Sequence, residues 1–140
     1  MLIGVALLWM AALMGYDLRQ RRLPNWLTIP GFSVIAVVAL GFGHGRAALI
    51  GAAALAAVYL LAHLLAPAAM GAGDVKLALG LGALTGCFGA DVWTLAAIGA
   101  PVLTAMAGTV ARLGWSARTV PHGPSMCVAG AASVALSQLA

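Results

Sequence analysis

Acidic side chains are the scarcest chemistry in this 140-residue chain: three aspartates, Asp17, Asp74 and Asp91, carry all of its negative charge. Charged residues of both signs make up 7% of the sequence and aromatic residues 6%. So little polar surface cannot clothe a water-facing globule, and no polar stretch is long enough to form a soluble domain beside the apolar ones. Cysteine is nearly absent as well. Cys87 and Cys127 fall near opposite ends of their predicted spans, a spacing that argues against a disulfide or a shared metal site and for small buried apolar residues.

What is present is hydrocarbon. Hydrophobic residues make up 64% of the chain and the mean hydropathy is +1.07, values expected of an integral membrane protein. The length holds about six or seven helices of roughly 17 to 20 residues. The expected architecture is therefore all-α, one polytopic membrane domain over residues 1–140 with about six spans. Apolar blocks run over Leu2–Tyr16, Leu27–Phe42, Ala47–Ala66, Val75–Gly89, Val92–Ala111 and Gly123–Ala140, separated by short polar, Gly- and Pro-bearing interruptions. Glycine weakens the fourth block as a helix while permitting close helix approach, so a partly buried or re-entrant segment is a further option there. The first block has no basic residues before it and several after it, the pattern of a retained span and not of a cleaved signal.

Charge orients the bundle. With the amino terminus outside, Arg19, Arg21, Arg22, Lys76, Arg112 and Arg118, six of the seven basic residues, face the cytoplasm. Asp17 and Asp74 then share the cytoplasmic side and Asp91 lies at the outer one. Trp26, Trp93 and Trp115 fall at predicted boundaries, as an aromatic belt requires, whereas Trp9 is expected to pack against lipid or a neighbouring helix.

An ionisable group at the edge of an apolar span marks a functional site before anything else. Two carboxylates on one side suggest a pair: one ionised acid takes a proton from water while a protonated one polarises a carbonyl. The structural alternative is that Asp17 pairs with Arg21 and Asp74 caps the fourth helix. Around Asp74, Gly71 and Gly73 would allow positive φ and a sharp turn into the membrane. Pro24 and Asn25 would mark the start of the second span. Lys76, two residues past Asp74, points to another helix face and reads as a topology signal and headgroup contact. Helix dipoles favour Asp74 as the charged base and Asp17, at the end of the first helix, as the neutral acid. His44, His63 and Asp91 carry no expected catalytic role.

The run Asp17-x-Arg19-x-x-x-Leu23-Pro24-Asn25, then Gly71-x-Gly73-Asp74-x-Lys76, then Pro121-x-Gly123-Pro124 resembles the type IV prepilin peptidases, GxGD-type aspartic membrane proteases. The three motifs stand in the family's order along essentially the whole chain. The resemblance implies that Asp17 and Asp74 are catalytic and that the other motif residues, Arg19 among them, support them. It also implies removal of a short basic leader from pilin or pseudopilin precursors at the cytoplasmic face of the bacterial inner membrane. No metal, nucleotide, methyl donor or nucleic acid is expected to take part. The chain has no CxxC motif or long polar insert, unlike the larger relatives that also methylate their product, and so resembles the compact enzymes of tight-adherence pilus systems. His122 stands where an apolar or aromatic residue is expected, and would tune the loop. The alternatives are another GxGD protease, of preflagellin or signal-peptide type (Tyr16-Asp17 supplies the dipeptide of the latter), and a non-enzymatic ion or proton pathway.

Overall fold

The computed structural model describes residues 2–20, 25–67, 71–114 and 122–139. Among the described residues it has six helices and no strand: α1 (Leu2–Gln20), α2 (Asn25–Gly41), α3 (Gly45–Leu65), α4 (Ala72–Cys87), α5 (Ala90–Gly114) and α6 (Gly123–Leu139). These are the six apolar blocks, with two shifts that matter. α1 runs on past Tyr16, so Asp17 and Arg19 are helical; α4 starts at Ala72, so Gly73 and Asp74 are helical too. Pro24, Arg21, Arg22, Trp115, Arg118 and Pro121 lie outside the described residues.

The glycine-rich α4, the least secure of the predicted spans, is the central helix. Leu77, Ala78 and the run from Gly80 to Thr85 are all buried. Its glycines explain why. A Cβ on Gly82 would stand 2.9 Å from Ala52 Cα, and one on Gly86 would stand 2.7 Å from the Ala47 carbonyl oxygen. Backbone of α3 therefore lies directly on backbone of α4, with Gly51 opposite Gly82, which is how helices associate where lipid removes the hydrophobic drive between them. Residues early in α3 meet residues late in α4, so the two run antiparallel. Trp93 reinforces the seam by donating its indole N–H to the Gly51 carbonyl at 3.0 Å, a use beyond the boundary role expected of it. Trp9 wedges between Gly31 of α2 and Gly80 of α4 and donates to Leu27 O at 2.8 Å. It is a packing residue against neighbouring helices.

The outer surface is apolar. On α5, Leu95, Ile98, Val102, Met106 and Val110 are each at least half exposed and recur at helical spacing, a stripe suited to lipid and not to water. Two helices, α3 and α5, are long and apolar enough to cross a membrane, and only 28% and 11% of their most apolar stretches are buried. The core helix of a water-soluble protein would be mostly buried. Two buried hydroxyls are satisfied within their own helices: Thr85 donates to Leu81 O at 2.7 Å and Ser133 to Ala129 O at 2.7 Å, as a low-dielectric interior demands.

Candidate active site

One end of the bundle gathers the carboxyl ends of α1, α3 and α5 and the amino ends of α2, α4 and α6. Polar residues that the sequence scatters over more than a hundred positions meet there. Asp17, on the last full turn of α1, is 6% exposed. Asp74, in the first turn of α4, is half-buried and takes a hydrogen bond from the Gly71 backbone N–H. The two carboxylates act on each other electrostatically, and both act on the buried thiol of Cys127 on α6. Asp91, in the first turn of α5, sits beyond the far end of α4, which rises about 20 Å from Asp74 to Cys87 at 1.5 Å per residue.

The start of α6 is what encloses Asp17. A Cβ built on the buried Gly123 would overlap the Asp17 carboxylate, lying 3.0 Å from its Cγ. Only glycine allows α6 to begin so close. The contact sets the positive end of a helix, with its unsatisfied N–H groups, beside Asp17. Pro124 fits there because a first-turn residue needs no N–H for the helix ladder. Each acid thus faces a helix amino terminus, Asp74 that of its own helix and Asp17 that of α6. The dipole asymmetry that favoured Asp74 as the base therefore disappears.

The supporting motif residues sort differently from expectation. Gly71 caps α4 with extended backbone, φ −77 and ψ 151, and Gly73 is helical. The glycines with positive φ are Gly43 and Gly89, in the α2–α3 and α4–α5 turns. The sharp-turn role expected of Gly71 and Gly73 is corrected accordingly: neither has positive φ, and the chain enters α4 through ordinary backbone. Lys76 also bonds within the bundle. Its ammonium donates to the Asn25 side-chain carbonyl at 2.5 Å, tying the start of α4 to the start of α2 and giving Asn25 a bridging use in place of capping. Arg19 lies exposed in the last turn of α1, where a cation complements the dipole. Close by, the Tyr16 and Trp26 rings meet edge to face, 5.5 Å apart at 86°.

His122 is no mere loop residue. Its Nδ1 lies 2.5 Å from Thr104 Oγ1 and its Nε2 3.0 Å from the Tyr59 hydroxyl, joining α5 and α3 to the start of α6. The His122 carbonyl also accepts from Met126 N–H at 3.1 Å and so opens the helix. Burial lowers the imidazole's pKa below its ordinary value and keeps it neutral. Tyr59, 5% exposed, carries its hydroxyl into electrostatic range of Asp74. Sequence reasoning passed over Tyr59 and Thr104 and read Cys127 only as a small buried apolar residue. The available signal was a tyrosine inside an apolar span, a polar group that must find a partner there.

Among the described residues no group of three or more His, Cys, Asp or Glu side chains could hold a metal ion. Both cysteines are free thiols. Two acids within electrostatic range of each other at one end of a helical bundle, one buried and one half-buried, form an arrangement able to activate water and polarise a carbonyl at once.

Comparison with curated proteins and with solved structures finds no match. A family model, that of the type IV leader peptidases, matches residues 4–113, a stretch holding both acids, Arg19, Asn25, Gly71, Gly73 and Lys76. His122, Gly123 and Pro124 lie beyond it. A match of that extent over an all-helical chain with two membrane-length apolar helices identifies a protease family and points to a membrane protein; the chain belongs to the type IV leader peptidase family.

Proposed function

We propose that this protein is a membrane-embedded aspartic endopeptidase of the bacterial inner membrane, and that Asp17 and Asp74 are its catalytic pair. It removes the short basic leader from pilin or pseudopilin precursors at the cytoplasmic face, with six spans holding one domain and Arg19, Pro24, Asn25, Gly71, Gly73, Lys76, Pro121, Gly123 and Pro124 supporting the site. The observation that carries the reading is that Asp17 and Asp74, acids from different helices and different motifs, come within electrostatic range of each other at one end of the bundle.

In this reading the ionised acid takes a proton from water as the oxygen attacks the scissile carbonyl carbon, and the protonated acid gives its proton to the carbonyl oxygen. The tetrahedral intermediate then collapses. The carbon–nitrogen bond breaks, the amine leaves with a proton from the first acid, and the second is reprotonated from the new hydroxyl. No metal or nucleotide is called for. The exposed basic residue Arg19 faces the same end as the acids, the side on which a basic leader would remain in the cytoplasm.

The test is co-expression of the protein with candidate pilin and preflagellin precursors and with a signal-peptide-bearing control, following each by its size shift. Cleavage of a pilin precursor that fails when Asp17 or Asp74 becomes Asn supports the reading. Cleavage of the signal-peptide control alone would transfer the protein to that substrate class, and cleavage of none would favour the ion-pathway alternative.

A further inference from the structure

One side chain ties the start of α6 to two other helices. His122 is the residue before Gly123, and its carbonyl closes the first turn of α6 by accepting from the Met126 N–H at 3.1 Å. A residue at that position ordinarily spends its side chain on the free N–H groups of its own helix. Both ring nitrogens of His122 are committed elsewhere, Nδ1 to Thr104 on α5 at 2.5 Å and Nε2 to Tyr59 on α3 at 3.0 Å. Thr104 gives its own proton to the Ala100 carbonyl, so it accepts from the Nδ1–H, and the bare Nε2 accepts from the Tyr59 hydroxyl. The His122 and Tyr59 rings pack as well, their centroids 5.4 Å apart. Each polar hydrogen of the three side chains thus has an acceptor, the condition under which a polar cluster holds firmly where water is scarce.

Further along α6 the contacts are of another kind. A Cβ on Gly130 would stand 3.3 Å from Leu81 Cδ2, and one on Gly99 of α5 would stand 3.3 Å from the Ala129 Cβ. Such contacts are apolar and non-directional. They hold the helix sideways and leave its position along its own axis to directional bonds, which at this end are those of His122. One residue on, Gly123 lies against the Asp17 carboxylate so closely that a Cβ there would stand 3.0 Å from Cγ. A displacement at 122 therefore passes to the carboxylate through a single residue. We infer that His122 is a positioning residue: tied to α3 through Tyr59 and to α5 through Thr104, it sets where α6 begins and so holds, in Gly123, the wall against which the Asp17 carboxylate rests. Its effect on cleavage rests on the proteolytic reading, whereas the placement of α6 is a property of the resting protein. Either acid can be the base in this arrangement, and His122 exchanges no proton with the substrate.

Amide hydrogen exchange of the full chain in lipid nanodiscs, read at the start of α6 and in α4, tests the anchor without substrate. In His122→Leu the Met126 amide should exchange about 10- to 100-fold faster, while Leu81–Thr85 of α4 keeps its wild-type rate. His122→Gln should restore the slow exchange, since a side-chain amide offers a carbonyl to Tyr59 and an N–H to Thr104. Unchanged exchange at Met126, or faster exchange in α4 as well, overturns the inference, the second because it shows a general loss of stability. In precursor cleavage, His122→Leu should lower kcat by about 10- to 100-fold with KM unchanged, and His122→Gln should recover most of it. Added to Gly123→Ala, His122→Leu should lower kcat little further, because both displace one contact; losses that multiply would count against a shared route. If His122→Leu does not fold, Tyr59→Phe and Thr104→Val, which each cut one tie, carry the same test. Wild-type exchange at Met126 in both of them overturns the inference. Should Asp17→Asn or Asp74→Asn still cleave, the proteolytic reading falls, while exchange at Met126 decides the anchor on its own.

Discussion

Gly123 closes on Asp17: the first residue of α6 stands against the carboxylate of a residue near the end of α1, so closely that a methyl group at 123 would overlap it. Gly123→Ala must therefore push either the helix or the acid aside. Since Asp17 is buried, the displacement falls on the candidate site. Cleavage should drop by about 100-fold, the scale of a misplaced catalytic group, with a smaller change in thermal stability. Activity within twofold of wild type would show that the contact does not position Asp17.

Asp17→Asn and Asp74→Asn should each lower cleavage by roughly 100-fold or more while leaving the protein inserted, because each acid has a separate proton-transfer role. Asp91→Asn, exposed at the far end of the bundle, should change nothing. Chelators should leave the wild type active, since an acid pair activates water unaided. Restoration of a chelator-treated enzyme by one added metal would contradict this.

The Lys76–Asn25 bridge joins two motifs, so its loss should be felt through the site and not through the chemistry. Lys76→Met and Asn25→Ala should each destabilise by about 1 kcal/mol, and the double variant by little more than either. Additive effects in such a cycle would mean that the two side chains do not act together.

Glycines offer a contrast within one chain. Gly82→Ala places a methyl group 2.9 Å from Ala52 Cα and should destabilise by about 1 to 3 kcal/mol through overpacking. Gly108→Ala meets nothing within 4 Å and should be neutral, or stabilising by about 0.5 to 1 kcal/mol through helix propensity. Denaturation of the two variants in the same detergent would rank them.

Stability should also fall on mild acidification. His122 is buried and its pKa lies below the ordinary value, so as pH drops through about 6.5 the unfolded state binds a proton that the folded state refuses. The loss begins there and levels off once the folded imidazole is protonated as well. Above about 6.5 His122 contributes no pH dependence. The wild-type curve minus that of His122→Gln isolates the effect, and two superimposable curves would show that His122 is not held neutral.

Hydropathy alone located all six helices to within a few residues, because burial of an apolar run in a nonpolar medium is a local property of the run. It also marked Asp17 and Asp74 as candidates, since an acid is expensive in such surroundings. Other features were not legible locally. The roles of Gly71 and Gly73 were misjudged because glycine permits positive φ without requiring it, and a capping turn into α4 needed only ordinary backbone. Lys76 is near Asp74 in sequence but bonds Asn25, and His122 lies far from both Tyr59 and Thr104 yet links them. Those partnerships depend on which helices touch. That was decided in three dimensions by small residues, Gly51 and Gly82 bringing α3 onto α4 and Gly123 bringing α6 onto Asp17, because the closeness of two backbones is a property of the pair and is written in neither segment by itself.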